Sequence, residues 1–357
     1  MNLDDLRKKI DALDARLVKL LNERTEFVLE IGKLKQCKGE EVYVPAREKV
    51  VLKRVAALNK GPLANESVLS IYREIMSASL ALERSVVIAY LGPPATFTYQ
   101  AARTRFGGSV KYADCETITD VFAVVEKRTA DYGVVPIENS TEGAVTHTLD
   151  QFVDTPLKIC AEIYLPISHH LMARCPRGKI RRVYSIPQVF GQCRRWLHEN
   201  MTGIDLIPVS STARAAEIAA KEKNAGALAS ELAAELYGLN VLSQDIQDLG
   251  GNMTRFLVIG KSYGKPTGSD KTSILFAVKH KVGALYSALA SFRKYGINMT
   301  KIESRPSKAK AWEYYFFVDV EGHAEDKLVQ KSLEEMAEHC ALMTILGSYP
   351  KAAEMDA

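Results

Sequence analysis

The stretch LDDLRKKIDALDARLVKLLNERTEFVLEIGKLK, residues 3–35, decides how the chain is read. Apolar residues recur through it in heptads. One seam runs Leu3, Ile10, Leu17, Arg24, Ile31 and the other Leu6, Leu13, Leu20, Phe27, Leu34. This a/d pattern predicts one long packed helix, and at Arg24 a guanidinium stands where the pattern wants a leucine. A charge among apolar side chains is costly unless paired, so an anion is expected at Arg24; the alternative is a polar residue that only fixes register. Lys35 follows three helical turns later on the same face. Arg7 is turned about 100° away and is expected to point elsewhere, into a cavity of a neighbouring chain.

A helix of about 34 residues would be about 51 Å long, more than two shorter helices can cover. A loop over Gly39 to Val44 ends at Pro45, which suits the first position of a second helix to about Leu58. NKGPLAN breaks the pattern, and a third helix is expected from about Glu66 to Glu83. Residues 1–85 thus read as an all-helical domain, with a second copy of the chain as the simplest cover for its seam. An intertwined homodimer is expected.

Downstream the grammar changes twice. Residues 86–262 alternate strands (VVIAYLG, DYGVVPIEN, IYLPISHHLMA, RRVYSIPQ, TRFLVIG) with helices such as TFTYQAARTRFG and TARAAEIAA. That alternation predicts two α/β lobes with a double crossover and a cleft between them. KSYGKPTGSDK, 261–271, is linker-like. Residues 272–349 read β-α-β-β-α-β, the ferredoxin-like order. The fold class is therefore multidomain: all-α, two-lobed α/β, then α+β.

Of 357 residues, 47% are hydrophobic and 25% charged, and the net charge of +4 is spread along the chain. Nothing in that balance favours nucleic acid as a partner. The six cysteines fall without metal or disulfide spacing, and the start MNLDDLRKK is not that of a signal peptide, so free thiols in a reducing cytoplasm are expected. Apolar runs are far shorter than the roughly 20 residues of a membrane span. There is no GxGxxG, no GxxxxGK[ST] and no GxSxG. His169 and His170 are the one histidine pair, and as strand neighbours they point to opposite faces. No cofactor and no metal are expected.

The polar residues near the helical core are informative together. Arg47 and Glu48 fall in the first turn of the second helix, and Val68, Tyr72, Ile75, Ser79 and Leu82 form a stripe on the third, with Glu83 one turn beyond Ser79. The spacing lets Ser79 and Glu83 face the same cavity as Arg24 and Lys35. Two or three cations can grip two carboxylates, while Glu48 and Ser79 suit a hydroxyl. LRKKIDALDARLVKLLNER, GKLK and VPAREKVVL closely resemble the helical chorismate mutase family over about residues 1–85. The resemblance implies that Arg7 (from the partner protomer), Arg24 and Lys35 bind chorismate. It also implies roles for the Val44 loop backbone, Arg47, Glu48 at the substrate hydroxyl, Ser79 and Glu83. The rearrangement to prephenate needs no acid, base or nucleophile. It is expected to be accelerated by holding the compact conformer and stabilising charge on the breaking ether oxygen, which Lys35 and Glu83 would meet. Relatives carry glutamine at the Glu83 position; an ionised carboxylate only accepts hydrogen bonds, so Glu83 must be protonated to donate one.

Residues 86–262 resemble the prephenate dehydratase family, with its periplasmic-binding-protein-like lobes, through YLGPPATFTYQAA, GVVPIENSTEGAV, YSIPQVFGQCRRWL, SSTARAAEIAA, ALASELAAELYGL and NMTRF. The resemblance makes Thr254 the essential residue, with Asn139, Ser140, Thr141, Ser185, Gln192 and Arg255 around prephenate. Ile186 stands where some relatives carry histidine and transfers no proton. Residues 272–350 resemble an ACT regulatory domain. Gly283, Ala284 and Leu285 at a helix start, with Asn298, Glu303 and Ser304, are implied as an L-phenylalanine site between paired domains. The expected protein is a bifunctional chorismate mutase and prephenate dehydratase inhibited by phenylalanine. Its rivals are an amino-acid sensor with a binding cleft, which needs no caged cations, and a monofunctional dehydratase whose helices only dimerise.

Overall fold

The computed structural model describes residues 2–38, 43–307 and 313–352. The chain forms two compact units, Met1–Val87 together with Arg105–Lys111, and Ile88–Thr104 together with Tyr112–Ala357.

The first unit is helical: α1 (Leu3–Lys38), α2 (Pro45–Leu58) and α3 (Asn65–Glu83). Asn2 and Asp5 start α1 with a reciprocal cap. Asn2 Oδ1 accepts from the Asp5 N–H at 2.8 Å and Asp5 Oδ2 accepts from the Asn2 N–H at 3.2 Å, so two end donors are satisfied at once. Pro45 opens α2, where its missing N–H is no loss. Most of the expected loop before it, residues 39–42, lies outside the described residues.

Apart from Arg24, the heptad seam is largely exposed in the protomer. Leu17 is 56% exposed, Leu20 57%, Phe27 67% and Leu34 64%. The face of α1 turned to α3 carries Arg24, Val28, Gly32 and Lys35, each one turn from the next. On α3 the expected stripe also shifts. Leu82 is 61% exposed, because Ser79 and Glu83, four residues apart, share the inner side and Leu82 falls off it.

The second unit holds three sheets. Its chain order begins β1 (Val87–Leu91), α4 (Phe97–Phe106), β2 (Lys111–Cys115), α5 (Ile118–Glu126), β3 (Tyr132–Asn139), β4 (Gly143–Ala144), α6 (Thr146–Gln151) and β5 (Lys158–Pro166). Next come β6 (His170–Ala173), β7 (Arg182–Ser185), α7 (Pro187–Gln192), α8 (Arg194–Asn200), β8 (Asp205–Pro208), α9 (Thr212–Lys221), β9 (Ala225–Ala229), α10 (Glu231–Tyr237) and β10 (Asn240–Ser243). Then β11 (Met253–Gly260) leads to β12 (Asp270–Val278), α11 (Ala284–Lys294), β13 (Met299–Pro306), β14 (Tyr314–Glu321), α12 (Lys327–His339) and β15 (Cys340–Pro350).

The first sheet runs β2-β1-β3-β11-β5, the second β10-β6-β9-β7-β8. The late strand β11 returns to lie antiparallel between β3 and β5, setting Thr254 opposite Asn139 on one side and Leu165 on the other. This is the expected double crossover, and it brings β11 beside the loop after β3. The third sheet, β13-β14-β12-β15, is antiparallel throughout. Its core of Ile274, Phe276, Val318 and Val320 packs on Ala288 and Phe292 of α11 and Leu333 and Met336 of α12.

Candidate active sites

In the helical unit, Arg24, Lys35, Val44, Arg47, Glu48, Ser79 and Glu83 line one cavity of about 400 Å³. Arg24 Nη1 donates to Ser79 Oγ at 3.0 Å, and Ser79 in turn donates to the Ile75 carbonyl at 2.8 Å, one helical turn back. The serine thereby orients the guanidinium that interrupts the heptad. Arg7 lies outside this cavity; its side chain is 66% exposed, 3.6 Å from Asp4.

Glu83 enters the cavity opposite Gly32. A Cβ at Gly32 would lie 3.0 Å from Glu83 Cγ, so a residue that costs about 0.5–1 kcal/mol in a helix interior makes room for a carboxyl. Glu83 Oε2 is buried with no hydrogen-bond partner among the described residues. Burial pushes this carboxyl above its usual range, and the opposing pull of Lys35 does not cancel that. In the contest between desolvation and a neighbouring cation, desolvation is the larger influence and shifts Glu83 toward its protonated form.

In the second unit the turn after β3 is built around Asn139. Its Oδ1 accepts from the N–H groups of Thr141 (2.9 Å) and Glu142 (3.0 Å), and its Nδ2 donates to Asn252 Oδ1 (2.7 Å) and Thr254 Oγ1 (2.8 Å). Thr254 therefore accepts from Asn139, and its own O–H proton can be given elsewhere. Ser140 ties this turn to β11, accepting at Oγ from the Met253 N–H at 2.9 Å. A cavity of about 430 Å³ beside it is lined by Thr141, Glu142, Gln188, Gln192 and Asn252, among others.

Two expected cleft residues lie elsewhere. Ser185 is fully buried in β7 and donates to the Leu228 carbonyl at 2.8 Å. Arg255 follows Thr254 on a strand, so the two side chains leave on opposite faces. Its guanidinium meets Glu162 Oε2 at 2.9 Å, Asp319 Oδ2 at 2.5 Å and Tyr349 Oη at 2.9 Å. Arg255 is thus part of a buried ion network against the third sheet.

In that sheet, Gly283 takes a left-handed conformation (φ 75°) at the start of α11, with Ala284 buried. Glu303 and Ser304 lie on β13, an edge strand, and Asn298 just before it. Among the described residues no group of three or more His, Cys, Asp and Glu gathers as a metal site would.

Comparison with known proteins gives these sites their context. The chorismate mutase type II family matches residues 6–84, the prephenate dehydratase family 88–263 and the ACT domain family 272–338. Over 355 residues the chain is 51% identical to the bifunctional chorismate mutase/prephenate dehydratase of Aquifex aeolicus, covering 98% of each. The chain belongs to this bifunctional family. The dehydratase and ACT portion is similar to the crystal structure of prephenate dehydratase from Arthrobacter aurescens in complex with L-Phe. There the TM-score is 0.70 at 33% identity, over 76% of this chain and 92% of that one. It is also similar to a quorum-quenching acylase, GqqA, with a TM-score of 0.69 at 30% identity over 75% of this chain and 98% of the other.

The sequence offers His169 only as half of a histidine pair, whereas the structure buries it behind Gln192 of the dehydratase cleft. Gln192 Nε2 donates to Glu142 Oε1 at 2.9 Å, so Gln192 Oε1 is the acceptor for His169 Nε2 at 2.9 Å. The network assigns the proton to Nε2 and leaves Nδ1 buried and unpartnered. Burial pushes the imidazole down to about 4, against the Gln192 hydrogen bond, so it is neutral near pH 7. The residue before β6 carries no sequence signal of this; only the fold brings it to Gln192. Gly32 and Asn252 were passed over for the same reason.

Proposed function

We propose that the helical cavity converts chorismate to prephenate and that the Thr254 cleft then decarboxylates and dehydrates prephenate to phenylpyruvate, in the cytoplasm, on the route to phenylalanine. The supporting observation is the cage: Arg24, Lys35 and Arg47 line one cavity with a Glu83 carboxyl that burial shifts toward its protonated form. Cations paired there with a dianion repay the cost of desolvating charge. Lys35 presents a donor to the ether oxygen as the C–O bond breaks, and Glu83 presents a second in its protonated form. Neither is consumed, in keeping with a pericyclic step. The cage also weighs against helices that serve only for dimerisation and against a sensor without chemistry.

At the second site the leaving hydroxide has to be hydrogen-bonded or protonated while CO2 departs, and aromatisation drives the step. Thr254, accepting from Asn139, has its O–H proton to offer. Thr141, Gln192 and Asn252 are the polar groups around it that suit the substrate.

The bare seam of α1 supports a homodimer in which Arg7 of one protomer completes the other's cage. Gly283, Ala284 and Leu285 at the head of α11, with Asn298, Glu303 and Ser304, are the proposed L-phenylalanine site. Backbone N–H groups at a helix start suit a carboxylate, and the open edge of β13 suits pairing with a second copy. The test is direct. Purified protein is supplied with chorismate, prephenate and phenylpyruvate are followed over time, and phenylalanine is then added. Failure to form prephenate from chorismate would sink the first half of the proposal.

A further inference from the structure

The cavity of the helical unit has a wall that does not come from the first 85 residues. Arg105 and Phe106 line it, although they lie in sequence within the stretch matched by the dehydratase family. Arg105 Nη2 stands 3.0 Å from Glu48 Oε2, and its Nε donates to Tyr43 Oη at 2.6 Å. Both charged side chains are largely out of solvent, 22% exposed for Arg105 and 12% for Glu48. Phe106 stacks at a tilt on the Tyr43 ring, centroids 4.8 Å apart.

The segment that carries Arg105 is fastened to α3. Glu74 accepts from the Gly108 N–H at 2.9 and 3.1 Å through its two carboxylate oxygens, and Ser77 Oγ accepts from the Ser109 N–H at 3.1 Å. Gly107 is left-handed (φ 71°), and a Cβ there would come within 2.6 Å of Ser77 Cβ. Only glycine allows this close an approach with that backbone. Arg105 is therefore held in place by three successive residues behind it.

We propose that Arg105 is a positioning residue of the chorismate mutase site, holding the Glu48 carboxylate in register for the substrate hydroxyl. The inference rests on the reading of this cavity as the mutase site. Glu48 sits in the first turn of α2 and has torsional freedom of its own. Arg105 holds the carboxylate as an ion pair at 3.0 Å, while Glu48 Oε2 has no hydrogen-bond partner among the described residues and so stays able to accept from a hydroxyl. The Tyr43 hydrogen bond fixes the guanidinium plane from the other side. The mutase site is then completed by a residue outside the helical module, and a helical fragment alone lacks it.

The experiment uses the full-length chain and assays the two reactions separately, chorismate to prephenate and supplied prephenate to phenylpyruvate. Arg105→Ala is expected to lower mutase kcat/KM about 10- to 100-fold, because it leaves the largely buried Glu48 carboxylate without its paired cation. The loss should fall mainly on KM, because a hydroxyl contact is made in ground and transition states alike. Dehydratase turnover should be unchanged. Arg105→Lys keeps the charge but not the fork and should recover part of the loss. In a Glu48→Gln background, Arg105→Ala should cost much less than in the wild type. Unchanged mutase kinetics in Arg105→Ala, an equal loss in the Glu48→Gln background, or parallel loss of both activities with a lowered melting temperature would each overturn the proposal. If the wild type itself forms no prephenate from chorismate, the reading of the cavity fails instead.

Discussion

Replacing Arg255 with methionine removes a cation that the structure places between two sheets. Its guanidinium contacts Glu162, Asp319 and Tyr349, and its side chain is 6% exposed. Removing one partner of a buried ion pair costs about 3–5 kcal/mol, because the remaining charge stays desolvated. Here the stranded carboxylates keep other partners. Asp319 retains the Ser273 hydroxyl at 2.5 Å, and Glu162 retains Lys271 at 3.1 Å and the Ala352 N–H at 3.0 Å. The lower end applies, about 3 kcal/mol, which for a unit of this size lowers the apparent melting temperature by about 6–12 °C. The pH dependence has a definite sign. Burial pushes Asp319 up, but Arg255, the Ser273 hydrogen bond and Lys301 together outweigh it and hold the carboxyl below its usual range. A depressed native pKa contributes stability above the unfolded value, lost as pH falls through the native one. Without Arg255 burial prevails, the carboxyl rises, and the variant favours a protonated Asp319. The deficit in melting temperature should be largest near neutrality and shrink as the solution is acidified. Calorimetry across pH, with KM for prephenate measured well below the transition, checks this. An unchanged melting temperature with a raised KM would refute the argument and return Arg255 to the substrate.

Three further outcomes are expected. Mutase activity should fall as pH rises through the raised Glu83 pKa, and Glu83→Gln should flatten that limb; a profile that Gln leaves untouched removes Glu83 as a donor. Thr254→Ala should lower phenylpyruvate formation about 100- to 1,000-fold, the cost of one donor at a developing charge, and leave chorismate turnover intact; retained dehydratase turnover excludes Thr254 from the mechanism. Gly32→Ala should favour the helix by as much as about 1 kcal/mol yet reduce mutase turnover about tenfold by displacing the Glu83 carboxyl. Full activity with raised stability would show that the close approach is incidental.

The helical unit was legible because a heptad repeat sustained over about nine turns is a strong signal and one charge within it stands out. What the period left open was which side of α1 would pack. The apolar a/d seam is largely bare in the protomer, and the face that meets α3 takes Arg24 from that seam and adds Val28, Gly32 and Lys35. The double crossover was legible from alternating strands and helices, but β2, α5, β8 and β10 were not, being short segments with little alternation. IYLPISHHLMA reads as one strand because its residues are uniformly apolar at the ends, yet Ile167–His169 break it into β5 and β6. In the cleft, family resemblance grouped Thr254 with Arg255 although strand alternation separates them. Arg105 gave no sign at all: its partner Glu48 lies 57 positions earlier, and nothing local to either residue predicts the meeting.

The same alternation gives the third sheet its connection to the chemistry. Along β13, Lys301 and Arg305 leave on one face. Lys301 pairs with Glu138 at 2.7 Å, and Arg305 grips Asp150 with contacts of 3.1 and 3.2 Å. Glu138 immediately precedes Asn139, the residue that donates to Thr254, while Asp319 of β14 holds the residue that follows Thr254. Both strands that build the dehydratase turn are thus held from behind by charges of the third sheet. The proposed phenylalanine residues Glu303 and Ser304 lie between Lys301 and Arg305 on the same strand. A ligand can shift an equilibrium only by its differential affinity for two arrangements. Glu303 shares the face of Lys301 and Arg305 while Ser304 lies on the other, so a ligand that displaces β13 also acts on the cations paired with Glu138 of β3 and Asp150 of α6.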